Sequence, residues 1–127
     1  MEHKQIVSES GKALLERVRR ICMKLPEVAE KVDGFGHSSF RVKDKPFTML
    51  GEHDAVTSLS IKASLETQDI LLQQDRYVRT PYIGQHGWVS LRSTEDVDWK
   101  EVEELLVEGY CLAAPKRLVK QLMETAT

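Results

Sequence analysis

Several features that would identify a class of protein are missing from this sequence. Its two cysteines, Cys22 and Cys111, form no CxxC pair, and no histidine stands at metal-ligand spacing from either. We therefore expect two free, buried thiols in a reducing compartment, and no metal or other cofactor. No apolar run approaches the roughly 18 residues of a membrane span, and the first five residues lack the pattern of a signal peptide. These absences predict a cytoplasmic protein with no membrane partner.

The chain also lacks an excess of positive charge. Its 127 residues include 18 Lys and Arg against 20 Asp and Glu, a formal net charge of −2. Proteins that hold duplex DNA by bulk electrostatics usually carry a clear basic excess, because each phosphate contact needs a cation. Nucleic-acid binding would therefore depend on a local patch. The length suits one domain, spanning residues 1–127, with its own core.

Hydrophobic periodicity predicts four helices. The first runs from Ser8 to Lys24 along one apolar stripe and ends before Pro26, since the residue before a proline is pushed out of the helical region. Asp98 and Glu101 form a capping-box pattern that opens the third helix. The predicted starts of the four helices are Ser8, Ser64, Asp98 and Pro115.

Alternation of apolar and polar residues predicts antiparallel strands. Lys45-Pro46 and the segment from Gly51 to Ala55 are the expected turns. The predicted extended segments are residues 37–43, 47–50, 56–62, 77–83 and 86–92. The order of elements is therefore a helix, a strand meander, a helix, strands and two helices. This order favours an α+β fold in which helices pack on one face of an antiparallel sheet.

Short motifs distributed along the chain resemble those of the MmcQ/YjbR-like family, over residues 10 to about 123. The motifs are Leu25-Pro26-Glu27-Val28, Gly36 to Val42, Lys45-Pro46-Phe47, Pro81 to Leu91 and Tyr110 to Leu118. The resemblance implies a fold similar to that of frataxin and CyaY, which has been called a double wing. Members are commonly described as DNA-binding, so the resemblance implies DNA as a partner.

The chain departs from this family pattern in two respects. Gln85-His86-Gly87 stands where many relatives carry a basic pair or a Lys-His before the strand tryptophan. Some relatives carry a phosphoribosylglycinamide formyltransferase label, and that chemistry relies on an Asn-His-Asp constellation. Since the sequence contains no asparagine, we reject this activity. No other catalytic motif is present, so we predict no catalytic residues.

Strand alternation predicts a water-facing sheet surface that combines cations with an aromatic ring. If Phe40, Leu59 and Val89 face the helices, the opposite face holds His37, Ser39, Arg41, Lys43, Ser58, Ser60, Lys62, Trp88, Ser90 and Arg92. Cations and an exposed aromatic suit phosphate contacts with base stacking. Our first hypothesis is therefore a nucleic-acid-binding module centred on Arg41, Lys62, Trp88 and Arg92. Lys116 and Arg117, in the first turn of the last helix, would add a docked anion.

Two other interpretations remain open. These positions could be ordinary solvated residues of a half-exposed sheet, with Trp88 partly covered by a loop. Lys116 and Arg117 would then turn to solvent or pair with the acidic helix before them. Alternatively, a small anionic ligand or a protein partner could bind a pocket near His37, Tyr82, His86 and Trp88.

Overall fold

The computed structural model describes residues 6–34 and 36–125, which form a six-stranded antiparallel sheet with four helices packed against one face. The elements are α1 (Glu9–Cys22), β1 (Val28–Val32), β2 (Ser38–Val42), β3 (Lys45–His53), β4 (Val56–Ile61), α2 (Leu65–Leu72), β5 (Tyr77–Arg79), β6 (Val89–Leu91), α3 (Trp99–Ala113) and α4 (Lys116–Thr125). The strands lie in the order β1-β2-β3-β4-β6-β5. The predicted α+β class is confirmed.

The helices begin where their capping residues predict. The side chains of Ser8, Ser64 and Asp98 each accept a hydrogen bond from the backbone N–H three residues on, which satisfies one free donor of the helix. The reciprocal half of the capping box at α3 was predicted wrongly. The Glu101 carboxylate instead accepts a hydrogen bond from the Tyr77 hydroxyl, so it joins α3 to β5.

The first hairpin turn differs from the predicted one, whereas the second lies within the predicted segment from Gly51 to Ala55. Lys45-Pro46 lies inside β3, and the turn before it is made by Lys43 and Asp44, with φ of 50° and 64°. Asp54-Ala55 makes the second turn, with φ of 50° and 65°. Two consecutive positive φ angles are typical of the type I′ turns that match the twist of a hairpin. The first turn was predicted wrongly because such turns usually contain Gly or Asn, and Lys43-Asp44 contains neither.

Two further strand predictions were wrong in extent, and one strand was not predicted. The edge strand β1 lies outside every predicted extended segment. Of residues 77–83 only β5 is a strand, and of residues 86–92 only β6. Between them the chain turns through Tyr82 and a short 3₁₀ helix, Gly84–His86. Pro81 cannot continue a ladder of hydrogen bonds, which is consistent with a strand that stops at Arg79.

The core lies between the sheet and the helices. Phe40, Leu59 and Val89, which alternation assigned to the helix-facing side, are all buried. Tyr110 packs edge-on against Phe47, with 5.7 Å between ring centroids, and its hydroxyl donates to the Pro26 carbonyl at 2.8 Å. Buried hydroxyls usually find such a partner. This contact fixes the loop after α1 against α3.

Both cysteines are free thiols. Cys22 is buried in the core and Cys111 is partly buried. Desolvation raises the pKa of both thiols, which keeps them protonated and unreactive. Within residues 6–34 and 36–125, no helix is long and apolar enough to cross a membrane.

Candidate functional site

The sheet face opposite the helices is only partly the surface that alternation predicted. Register confirms that Ser39, Ser60 and Ser90 share one face, because Ser39 pairs with Met49, Met49 with Ser60 and Ser60 with Ser90. Ser39 and Ser90 are buried, however, so the prediction that they face water was wrong. Trp88, however, is only 5% exposed, so the prediction of an open aromatic platform was wrong. Burial of a large indole stabilises the fold.

The two arginines at the centre of the predicted surface do not lie together. Arg41 is level with Pro46 of β3, whereas the ladder places Arg92 level with Gly51, five residues further along that strand. Both guanidinium groups also have internal partners. Arg41 Nε donates to Ser39 Oγ at 2.9 Å, and Arg92 Nε donates to the Asp75 carbonyl at 2.7 Å. The predicted four-residue centre is therefore not assembled.

The cations at the start of α4 and in the first hairpin contact a carboxylate of the chain itself. Glu27 lies 2.7 Å from Lys43 Nζ and 3.2 Å from Arg117 Nη1. The hydrogen bonds from Lys43 and then Arg117 lower the pKa of Glu27. The predicted pairing with the preceding acidic helix was wrong, because the partner is in the loop after α1. Lys116 is exposed and makes no ion pair within the described residues.

The predicted pocket of two histidines, Tyr82 and Trp88 does not form as one site. The His37 ring packs over Gly51, where an added Cβ would lie 2.5 Å from its Cδ2, and its Nδ1 is 3.4 Å from Asp33. Tyr82 is 94% exposed. His86 and Trp88 alone, of the four predicted residues, line a shared groove.

This groove, here called the Trp88 groove, has a volume of about 360 Å³. Its lining residues are Lys45, Pro46, Lys62, His86, Trp88, Leu112 and Ala113. Lys62 and Trp88 come together because each is the next residue beyond the paired Ile61 and Val89. No carboxylate lines the groove. Within the described part of the chain, Lys45 and Lys62 make no ion pair.

The side chain of Trp88 lines this groove. The structure shows no hydrogen bond from Trp88 Nε1 to any described residue. Among the described residues, no buried side-chain nitrogen or oxygen lacks a hydrogen-bond partner. The Nε1–H is therefore not completely covered by the protein. An indole N–H is a donor only, and Trp88 lines the groove together with Lys45 and Lys62.

A buried glutamine in α2 holds the wall of the groove in place. Gln68 Nε2 donates to the Gly84 carbonyl at 2.6 Å and to the Trp88 carbonyl at 3.0 Å. Gly87 has φ of 99°, and a Cβ there would lie 1.9 Å from the Ala63 carbonyl oxygen. Only glycine fits this conformation and this close approach.

Sequence reasoning missed two of these residues. Lys45 was assigned to a turn and Gln68 was given no role, whereas Lys45 lines the groove and Gln68 is 6% exposed. The available signal was the position of Gln68, three residues before the buried Leu71 on the same helix face. Within the described residues, no group of three His, Cys, Asp or Glu side chains could hold a metal ion.

A family model for YjbR matches residues 23–112. The chain belongs to the YjbR family. This confirms the resemblance predicted from the motifs, and the match includes the loop that forms one wall of the Trp88 groove. The YjbR fold is also similar to a crystal structure of the Deinococcus radiodurans protein DR2400, described by the family-model domain DUF419, with a TM-score of 0.70.

The two chains share 22% sequence identity, and the similarity covers 85% of this chain and 86% of that one. At this identity the likeness shows the fold alone. No curated protein matches this YjbR chain significantly.

Proposed function

We propose that this YjbR protein is a binding module that holds phosphate-bearing ligands in the Trp88 groove. The observation that carries this proposal is the pair Lys45 and Lys62, which border one groove without a carboxylate. Lys43, by contrast, is paired with Glu27. Two ammonium groups without an acidic partner, in a groove that Trp88 and His86 also line, supply donors that a phosphate oxygen requires.

The apolar walls of the groove strengthen this interaction. Pro46, Leu112 and Trp88 place apolar atoms in the groove that the two lysines line. A charge interaction is stronger where the effective dielectric constant is lower than that of water. A bound anion would also relieve the repulsion between the two ammonium groups. His86, which also lines the groove, adds a ring N–H donor.

The size of the groove favours a small ligand or one nucleotide over a duplex. A volume of about 360 Å³ lies at the lower end of the range of small-molecule sites. Nucleic acid is the second candidate, favoured by Lys116, which follows the groove residue Ala113 by three positions and is exposed. A strand entering the groove through one phosphate could contact Lys116 with the next. In that case DNA would be a partner as a single strand rather than as a duplex.

Calorimetric titration with inorganic tripolyphosphate tests the proposal. We expect Lys45→Gln combined with Lys62→Gln to weaken binding by at least about tenfold, since a hydrogen bond to a charged group contributes roughly 1.5–3 kcal/mol. The matched control is Lys100→Gln with Lys120→Gln, which removes the same charge from exposed positions outside the groove. An equal loss in both variants, or no binding by the wild type, would overturn the proposal.

A further inference from the structure

We infer that the ligand of the Trp88 groove carries an unpaired nucleobase, which stacks on Tyr82. This inference rests on the proposed phosphate-binding function and names the class of ligand more closely. The base could belong to a mononucleotide or to single-stranded nucleic acid. A duplex is not the expected ligand, because its base faces are covered by neighbouring base pairs.

The conformation of Tyr82 has no explanation within the described structure. Its φ is 69°, and Ile83 N donates to the Pro81 carbonyl at 2.8 Å, which closes a three-residue γ-turn of the rare left-handed kind. The other non-glycine residues with positive φ form the two hairpin turns or, in the case of Glu27, contact two cations. Strain of this kind concentrates at functional sites.

Tyr82 combines this strain with almost complete exposure. Its side chain is 94% exposed and makes no hydrogen bond within the described residues. Burial therefore does not compensate for the unfavourable backbone. A large aromatic ring held in water on a constrained turn is typical of a residue that contacts a ligand.

The loop that carries Tyr82 is held at both ends. Thr80 N donates to the Trp88 carbonyl at 3.3 Å, and His86 N donates to the Ile83 carbonyl at 3.0 Å. Gln68 adds its two hydrogen bonds to the same loop. A ring on a fixed loop loses little conformational freedom when a ligand binds. The favourable free energy of stacking is therefore not offset by an entropic cost of ordering the loop.

Tyr82 is also close to the Trp88 groove along the chain. His86 lines the groove and follows Tyr82 by four residues, three of them in the 3₁₀ helix. Even a fully extended chain of four residues spans at most about 14 Å. One nucleotide could therefore place its phosphates between the lysines and its base over the Tyr82 ring. Such a combination of cations and stacking is how proteins bind single strands.

Fluorescence anisotropy tests this inference with a labelled thymidine oligonucleotide and a strand of equal length that lacks bases. We expect Tyr82→Ala to weaken binding of the thymidine strand about tenfold while leaving the abasic strand and tripolyphosphate unaffected. Tyr82→Phe, which retains the ring, should bind as the wild type does. Competition with thymidine triphosphate then distinguishes a mononucleotide ligand, which competes as strongly as the strand, from a single strand, which binds more tightly.

The outcomes separate this inference from the function on which it rests. Equal loss of the abasic strand in Tyr82→Ala, or no loss of the thymidine strand, would overturn the stacking role while leaving phosphate binding intact. A wild-type protein that binds tripolyphosphate but prefers a duplex would overturn it as well. Failure of the wild type to bind any of these probes would overturn the phosphate-binding function and the stacking role together.

Discussion

At the end of the sheet that holds the Trp88 groove, Lys45 and Lys62 have no ion-pair partner within the described residues. At the opposite end of β5 and β6, Arg76 lies 3.4 Å from Asp98 and 3.8 Å from Glu101. The formal charge of −2 averages over these two regions. The comparison shows that some cations of the chain form ion pairs within the fold and that others are available to bind a ligand. The net charge of the whole chain does not reveal this difference.

The largest expected effect comes from filling the close approach beneath the groove. We expect Gly87→Ala to destabilise the protein by roughly 3 kcal/mol or more, because the new Cβ meets the Ala63 carbonyl and φ is positive. Urea unfolding measures this loss. Gly34→Ala is the matched control, since nothing lies within 4 Å of its added Cβ. If both variants are equally stable, the groove wall is not held as described.

A smaller effect on stability is expected where glycine replaces a residue with positive φ. Replacing Ala55 or Tyr82 by glycine should raise stability by about 0.5–1 kcal/mol, the strain removed minus the greater freedom of glycine in the unfolded chain. Only Tyr82→Gly should also weaken binding of the thymidine strand. The measurements are the urea midpoint and the binding curve of each variant. They compare the Ala55 turn, which serves the fold, with the Tyr82 turn, which serves a ligand. A large loss of stability in Tyr82→Gly would contradict the strained turn.

The smallest expected effect concerns two carboxylates, one near each end of the sheet. Hydrogen bonds from Lys43 and Arg117 lower the pKa of Glu27, whereas those from Ser8 and Val7 lower the pKa of Glu52. Because both pKa values are depressed, each group stabilises the fold above its ordinary pKa of 4.5. That contribution is lost as pH falls through the folded value.

The stabilising contributions of Glu27 and Glu52 should differ in their dependence on salt. Added sodium chloride should reduce the contribution of Glu27, which faces cations, and hardly change that of Glu52, which faces neutral donors. Urea unfolding of Glu27→Gln and Glu52→Gln at neutral and acid pH, in low and high salt, measures this. Equal salt sensitivity of the two variants would contradict the assignment.

The helices could be predicted because their signals are local. Ser8, Ser64 and Asp98 cap the helices that follow them, and this chemistry involves only the next three residues. The second hairpin turn, Asp54-Ala55, lies within the predicted turn segment, but the first turn could not be predicted, because Lys43-Asp44 adopts positive φ without glycine or asparagine. There the pairing of whole strands overrides the local preference of the turn residues.

The candidate site was predictable only as separate residues. Lys62, His86 and Trp88 were predicted as binding residues, but side-chain alternation applies only within a strand. Lys62 and Trp88 each lie one residue beyond β4 or β6, and His86 lies in a 3₁₀ helix. Their meeting with Lys45 and the end of α3 depends on tertiary packing.

The side-chain amide of Gln68 has two hydrogens, and the carbonyls of Gly84 and Trp88 take both. A glutamate of the same shape would bring two lone pairs against those oxygens, and a leucine would leave two acceptors without a donor. Which side chains position 68 can accept is thus decided by the number of hydrogen-bond donors rather than by side-chain size. An event that unwinds α2 would also release the loop that carries Tyr82, so local stability and ligand affinity should change together.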